Sequence, residues 1–268
     1  MKNFIPFLVC VFLLSSCQQS KEDAVNDLLK AENSFDKEKV SQLLSDSFIY
    51  YGTVDTLNKD EYLSWLDSTL RPLECKTSIL NIQDLDSIVK TEEQVRSCID
   101  VSLDVTPPYV RKMTYRFFND KLISITVDST NYEEYVKSYN EKCNPFVFYI
   151  KDKYGKEDWN EIAPNLKKYL SEYTVLSVSE KKQYETYAYL QGTYVSKDCV
   201  FYKKLIFRGK RTVTIIDAIF GFPFSTSYEL DEDIVRIRTD KSDLLFDIKD
   251  SQTLIGEGFA NGTFIKVN

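Results

Sequence analysis

Histidine is absent from the 268 residues, and glycine, methionine and tryptophan are scarce at 8, 2 and 2. Without imidazole there is no Ser-His-Asp or Cys-His catalysis, no His-ligated zinc and no histidine pH switch. None of the 6 cysteines forms a CxxC pair, which leaves a zinc cluster without its usual spacing. Positive charge is the lesser sign, with 34 Lys+Arg against 41 Asp+Glu and a net charge of −7. That balance excludes a general nucleic-acid binder, which needs clustered cations. Past Leu14 no apolar run approaches the ~20 residues of a transmembrane helix. What is present is 43% hydrophobic and 28% charged residues, with 18 Tyr and 17 Phe, the composition of a folded protein of one large or two small domains.

Lys2 followed by the short apolar run Phe4 to Leu14, broken only by Pro6, reads as a targeting segment too short to span a bilayer. The run ends in Leu14-Ser15-Ser16-Cys17, which resembles the lipobox of bacterial lipoproteins. The resemblance implies a signal peptide over 1–16, diacylglycerol on the Cys17 thiol and a polar tether over 17–23. It also implies a chain held in the cell envelope by its N-terminal lipid, at the outer membrane. Lys21-Glu22-Asp23 resembles the acidic post-cysteine signals that send some lipoproteins to the cell surface. Cys75, Cys98, Cys143 and Cys199 remain, and an envelope location permits disulfides without choosing among three pairings.

Ala24, Leu28, Ala31 and Phe35 recur at helical spacing, and Val40, Leu43 and Leu44 continue an apolar face in a second helix. Phe48-Ile49-Tyr50-Tyr51 reads as a strand ending at Gly52. Asn58 with Glu61 three residues on predicts a capped helix carrying Tyr62, Leu66 and Leu70 inward, stopped by Pro72. From Cys75 to Asp128 the period becomes two. Strands are expected at 79–85, 88–104, 109–118 and 121–127, joined by short turns into an antiparallel meander. The order helix, helix, strand, helix, four strands, together with Val40-x-x-Leu43-Leu44-Ser45-Asp46-x-Phe48 and Tyr51-Gly52, resembles the nuclear-transport-factor-2-like (SnoaL-like) fold. The resemblance implies an α+β domain over 24–130, a curved antiparallel sheet wrapped around helices as a cone. Its members include cyclases, isomerases, dehydratases and plain binding modules, so the fold does not name a function.

Residues 131–187 have helical composition. Helices are expected at 132–142, after Pro145 as a first-turn residue and up to Gly155, at 159–169 and at 180–189, together forming a packed connector. Past residue 188 short strands recur at 203–208, 211–218, 227–230, 234–239, 243–249 and 262–267, the spacing of an all-β barrel or sandwich. Gly192-Thr193-Tyr194 and Leu254-Ile255-Gly256-Glu257-Gly258 resemble small lipocalin-like domains appended to bacterial lipoproteins, which implies such a domain over 188–268.

In the cone fold the mouth holds the ligand. Tyr51, Trp65, Arg96, Asp100, Met113, Tyr115 and Phe117 are the candidate lining, with Tyr50 an alternative to Tyr51. Arg96 and Asp100 are expected on one face of the long strand, opposite Val95, Ile99 and Val101. The bland reading of the same residues is aromatic core and solvent-facing charge. Asp60-Glu61, Glu92-Glu93 and Asp231-Glu232-Asp233 offer carboxylates, the last without calcium-loop spacing. Asp55-Thr56-Leu57, Asp67-Ser68-Thr69, Asp86-Ser87-Ile88 and Asp128-Ser129-Thr130 resemble an O-glycosylation acceptor of some gram-negative bacteria, which points to Thr56, Ser68, Ser87 and Ser129. The sequence supports an accessory or binding protein with no catalytic residue, metal or cofactor assigned, and no nucleic-acid partner. Its partners are the membrane, through the lipid, and a small-molecule, glycan or protein ligand. A cofactor-free cyclase, isomerase or hydratase in the cone and a scaffold without small-molecule ligand are the alternatives.

Overall fold

The computed structural model describes residues 20–240 and 242–267. The lipobox and Cys17 lie outside the described residues. Among the described residues no helix is long and apolar enough to cross a membrane.

The chain divides into two compact units. The first takes in residues up to Arg71, then Lys76–Val95 and Val110–Thr130. It opens with helices α1 (Lys21–Asn33) and α2 (Lys37–Leu43), strands β1 (Leu44–Tyr51) and β2 (Thr56–Asn58), and helix α3 (Lys59–Trp65). Four strands follow: β3 (Lys76–Leu85), β4 (Ile88–Arg96), β5 (Tyr109–Phe118) and β6 (Lys121–Thr130). They build a six-stranded sheet in the order β2-β1-β6-β5-β4-β3. The expected meander is present, and β1 closes onto β6 in parallel. Val25, Leu28 and Leu29 of α1, Tyr62, Leu63 and Leu66 around α3, and Val89, Met113, Tyr115 and Ile125 of the sheet form one buried core.

Local chemistry explains the helix starts. The Ser20 hydroxyl accepts the Asp23 amide at 3.0 Å, and Glu22 and Asp23 favour the positive helix end. Lys21-Glu22-Asp23, expected in the tether, is therefore the first turn of α1. The predicted α3 capping box forms in both directions: Asn58 caps the Glu61 amide at 3.1 Å, and Glu61 accepts the Asn58 amide at 2.9 Å. A wide turn over Leu66–Leu70 then carries the chain to Pro72.

The long strand expected over 88–104 is corrected. β4 stops at Arg96, and Cys98–Ser102 is a short helix, α4. Ser97 and Asp100 form a second capping box: Asp100 accepts the Ser97 amide at 2.6 Å and the Ser97 hydroxyl caps the Asp100 amide at 3.1 Å. This polar pair three residues apart outweighs the β-branched alternation that mimics a strand. Arg96 and Asp100 therefore do not share a strand face.

The second unit takes in Pro72–Cys75, Arg96–Tyr109 and the chain from Asn131. Helix α5 (Tyr132–Tyr154) runs straight through Pro145, which was expected to begin a new helix, and ends at Gly155 in the left-handed conformation. Helices α6 (Trp159–Ile162), α7 (Leu166–Thr174) and α8 (Val178–Leu190) follow, packed through Phe146, Tyr149, Tyr169 and Tyr173. The remaining strands are β7 (Gly192–Ser196), β8 (Tyr202–Arg208), β9 (Thr212–Asp217), β10 (Pro223–Asp231), β11 (Ile234–Ile237), β12 (Leu244–Asp250), β13 (Thr253–Gly256) and β14 (Gly262–Val267). They form a closed antiparallel barrel, β14 pairing back onto β7. Eight strands enclose a space that side chains can fill. Here Leu205, Phe207, Val213, Val235, Phe246 and Phe264 fill it. Gly256 permits the tight return after β13, because a Cβ there would lie 2.0 Å from the Ala260 carbonyl oxygen.

Asp100 is buried and also accepts the Tyr135 hydroxyl at 2.9 Å, whereas Arg96 is half-buried and its side chain makes no hydrogen bond or ion pair among the described residues. Asp100→Ala should cost about 2–3 kcal/mol of unfolding free energy. Arg96→Ala should stay within ~0.5 kcal/mol of the parent. Denaturant titration of both variants checks this, and equal effects would contradict the separation.

Candidate functional site

The interior of the first unit carries an acidic, aromatic and basic cluster. On α1 the buried positions Val25, Leu28, Leu29 and Glu32 follow helical spacing, so a carboxylate occupies the last place of an apolar face. On β4, Val89, Thr91 and Glu93 alternate inward, and on β5 Met113 and Tyr115 are buried on the same side as Arg111. From α3 Tyr62 enters the same space.

Glu93 is fully buried and both its carboxylate oxygens are engaged. Oε1 accepts the Thr91 hydroxyl at 2.5 Å and the Tyr115 hydroxyl. Oε2 accepts a hydrogen bond from Arg111 Nε at 3.0 Å and pairs ionically with Nη2, also at 3.0 Å. Burial works against the Arg111 charge, yet the facing Glu93 carboxylate outweighs it and raises the guanidinium pKa. Burial, then the neighbouring Glu93 charge, pushes the Tyr115 phenol well up. Arg111 keeps its side chain 12% exposed and links the cluster to solvent.

Glu32, 6% exposed, accepts the Tyr62 hydroxyl at 2.5 Å. Burial pushes its carboxyl up to about 7 against the opposing effects of Tyr62 and Arg111, with Glu93 adding a further upward push. Burial and the Glu32 charge hold the Tyr62 phenol well above its ordinary value. The two carboxylates thus sit in different environments, Glu93 against a cation and Glu32 against a phenol. Tyr50 and Trp65 pack beside Tyr62 with ring centroids at 5.3 and 5.7 Å. Among the described residues no buried side-chain nitrogen or oxygen lacks a hydrogen-bond partner.

Of the candidate lining residues, Met113 and Tyr115 are buried in this interior and Phe117 and Trp65 border it half-buried. Tyr51 is exposed, and it is Tyr50 that packs on the core. Arg96 and Asp100 belong to the second unit. Glu32, Tyr62 and Arg111 were missed as functional candidates. The signal for Glu32 was a carboxylate at the fourth place of the Val25-Leu28-Leu29 face; for Arg111, its two-residue spacing from Met113. Thr56, Ser68, Ser87 and Ser129 are all exposed, as a modification acceptor requires. Cys98, Cys143 and Cys199 are free thiols.

The outer face of the sheet carries a groove of about 520 Å³ lined by residues including Asn81, Gln83, Lys90, Glu92, Lys112 and Arg116. Among the described residues Lys90, Lys112 and Arg116 have no ion-pair partner. Beside them Asp128 accepts the Thr114 hydroxyl at 2.6 Å.

No family model and no curated protein matches this chain. Solved structures resemble part of it. An NTF2-like protein of unknown function from Cytophaga hutchinsonii is 11% identical, with 42% of this chain and 92% of that one covered at a TM-score of 0.36. A proposed polyketide cyclase from Sinorhizobium meliloti is 12% identical over 41% of this chain and 99% of that one, at 0.36. An LEH-like epoxide hydrolase from M. tuberculosis is 13% identical over 47% and 92%, at 0.39. Scores below 0.5 carry no argument from those proteins' activities to this chain.

Because the folded state holds the Glu32 proton that the unfolded chain releases near pH 4.5, stability should fall as pH rises from about 4.5 to about 7 and level off above. The loss attributable to this group is about 3 kcal/mol. Glu32→Gln should remove that slope and leave the variant more stable than the parent at pH 8. Urea titrations across this range check it, and an unchanged slope in the variant would contradict the buried-acid assignment.

Proposed function

We propose that this chain is a lipid-anchored, extracytoplasmic accessory protein that binds through its surfaces and carries out no chemistry in its first unit. The observation that carries the reading is the full engagement of Glu93 by its neighbours. Both of its oxygens are engaged, Oε1 by the Thr91 and Tyr115 hydroxyls and Oε2 by Arg111, and its carboxylate is fully buried. A base must keep a lone pair for the proton it removes. Glu93 is instead committed to three hydrogen bonds and a guanidinium, so it acts as a clamp joining β4 to β5 rather than as a catalyst.

The first unit, in this reading, is a nuclear-transport-factor-2-like module whose interior is packed core. The outer groove is where an anionic small molecule, glycan or protein segment would lie, because its three cations Lys90, Lys112 and Arg116 outnumber its two carboxylates Glu92 and Asp128 in a chain of net charge −7. The helices α5 to α8 bridge to a lipocalin-like barrel whose filled interior leaves binding to its outside. The anchor rests on Leu14-Ser15-Ser16-Cys17 and, in this reading, holds the protein at the outer membrane.

One observation favours the enzyme alternative. Glu32, with a carboxyl pushed up to about 7, is a proton donor and acceptor near neutrality beside the Tyr62 phenol. A cofactor-free isomerase, cyclase or hydratase would use it, with Arg111 holding an anionic oxygen. That chemistry requires the interior to open.

Native-state hydrogen exchange separates the two readings. The buried-face amides of β4 and β5 should exchange only through global unfolding. Exchange of those amides through a smaller opening that also exposes Glu32 would contradict the packed-core reading. The anchor is tested separately: Cys17→Ala should abolish incorporation of labelled fatty acid, and retained label would refute it.

A further inference from the structure

The second unit carries a pocket between helix α8 and the barrel. Its volume is about 590 Å³, within the roughly 300–1,000 Å³ of small-molecule sites. Its wall includes Gln183 and Tyr187 of α8, Lys210 and Arg211 of the β8–β9 turn, and Ser227 and Glu229 of β10. The wall is set in advance. The Gln191 amide donates to the Gly209 carbonyl at 3.1 Å and accepts the Gly209 N–H at 2.6 Å, tying that turn to the end of α8. The Tyr228 hydroxyl donates to the same carbonyl. A preformed wall loses less freedom when a ligand binds.

Tyr187 has a polar atom that the fold leaves unused. The residue is 8% exposed, and its ring stacks on Phe148 at 6.1 Å. Its hydroxyl makes no hydrogen bond among the described residues, whereas the buried Tyr194 and Tyr228 hydroxyls reach backbone carbonyls. Among those residues no such unpartnered atom is sealed from solvent, so this hydroxyl opens on the pocket it helps to line. Lys210, Arg211 and Glu229 of the same wall are among its charged neighbours. Burial pushes the phenol above its ordinary value, so at neutral pH it keeps its proton and both donates and accepts. An unused hydrogen bond on a buried side chain facing a pocket is one that a ligand completes.

The wall also selects the ligand. Charges of the two signs nearly balance: Lys210, Arg211 and Arg238 stand against Asp152 and Glu229, and the adjoining trough that shares Gln183 adds Lys182 against Glu180, Glu232 and Asp233. Several are already paired, Lys210 with Asp152 at 2.9 Å and Glu229 with Arg238 at 2.8 Å. Neither a polyanion nor a polycation is favoured. The side chains left unengaged among the described residues are the Tyr187 phenol, the Ser227 hydroxyl, the Gln183 amide and the Arg211 guanidinium. An apolar ligand would strip water from all four and return no hydrogen bond. The adjacent hydroxyls of a sugar ring each donate and accept. A guanidinium fork donates to two neighbouring oxygens, and an amide gives one hydrogen bond while taking another.

We propose that this pocket binds a neutral sugar residue, whose adjacent hydroxyls meet Arg211, Gln183, Ser227 and the Tyr187 hydroxyl. The site is separate from the outer groove of the first unit.

The test titrates the full chain calorimetrically with the neutral trisaccharides maltotriose, cellotriose, xylotriose, mannotriose and chitotriose, and with trigalacturonate as the acidic control. At least one neutral sugar should bind saturably, and added salt should not weaken it. Tyr187→Phe removes one hydroxyl and should weaken binding about tenfold, and Arg211→Met should weaken it roughly tenfold or more. Arg211 is exposed and Tyr187→Phe keeps the stacked ring, so the melting temperature should not move. Lys112→Ala, in the groove of the first unit, should bind like the parent. The proposal is overturned if no neutral sugar binds, if Tyr187→Phe and Arg211→Met bind as the parent does, if Lys112→Ala loses the sugar, or if only trigalacturonate binds.

Discussion

The first unit depends on one buried ionic contact, Glu93 with Arg111. A carboxylate taken wholly out of water destabilises a fold by several kcal/mol unless a partner and hydrogen bonds compensate it. Here the compensation comes from both strands that the contact joins: Thr91 from β4, Arg111 and Tyr115 from β5. Their register is therefore specified by chemistry as well as by the alternation of apolar residues, since a slip by one residue would strand the carboxylate in the core. Glu32 and Tyr62 extend the polar interior from the sheet to α1 and α3, so helices and sheet are tied through matched donors and acceptors.

The two carboxylates illustrate how environment decides role. Glu93 faces a guanidinium and is fully engaged. Glu32 faces a phenol in an apolar surround and holds its proton to about pH 7. A satisfied network rigidifies a core, while a near-neutral buried acid is the usual starting material for proton transfer. The same interior thus contains the reason to read the unit as a packed module and the feature from which an enzyme could be built. The barrel poses no such ambiguity within: its inward faces are apolar and filled.

Much of this architecture was legible in the chain. The Asn58–Glu61 box, the sheet meander and the change to short strands after residue 190 are local signals, and the structure contains the helix, the sheet and the barrel they imply. Local signals also misled. The alternation of Val95, Ile99 and Val101 mimicked a strand where Ser97 and Asp100 cap a helix, and Pro145 suggested a break that α5 absorbs. The buried cluster was only half visible. Tyr115 and Met113 stood out as aromatic and apolar lining, but Glu32 and Arg111 look like ordinary surface charges until helix and sheet are packed. Their meaning lies in a partner from another element. The exposed Phe220, Phe222 and Phe259 of the barrel loops were overlooked for the opposite reason: apolar residues on a strand-rich segment read as core, and only the closed barrel shows which ones it leaves outside.

The central claim is that Glu93 and Arg111 are a mutual structural clamp. A double-mutant cycle with Glu93→Gln and Arg111→Met measures it directly. Each single variant should lose about 3–5 kcal/mol of unfolding free energy, because it leaves the other charge buried without its partner. The double variant should recover most of the loss, giving a large coupling energy. Single variants as stable as the parent, or losses that simply add, would contradict the account.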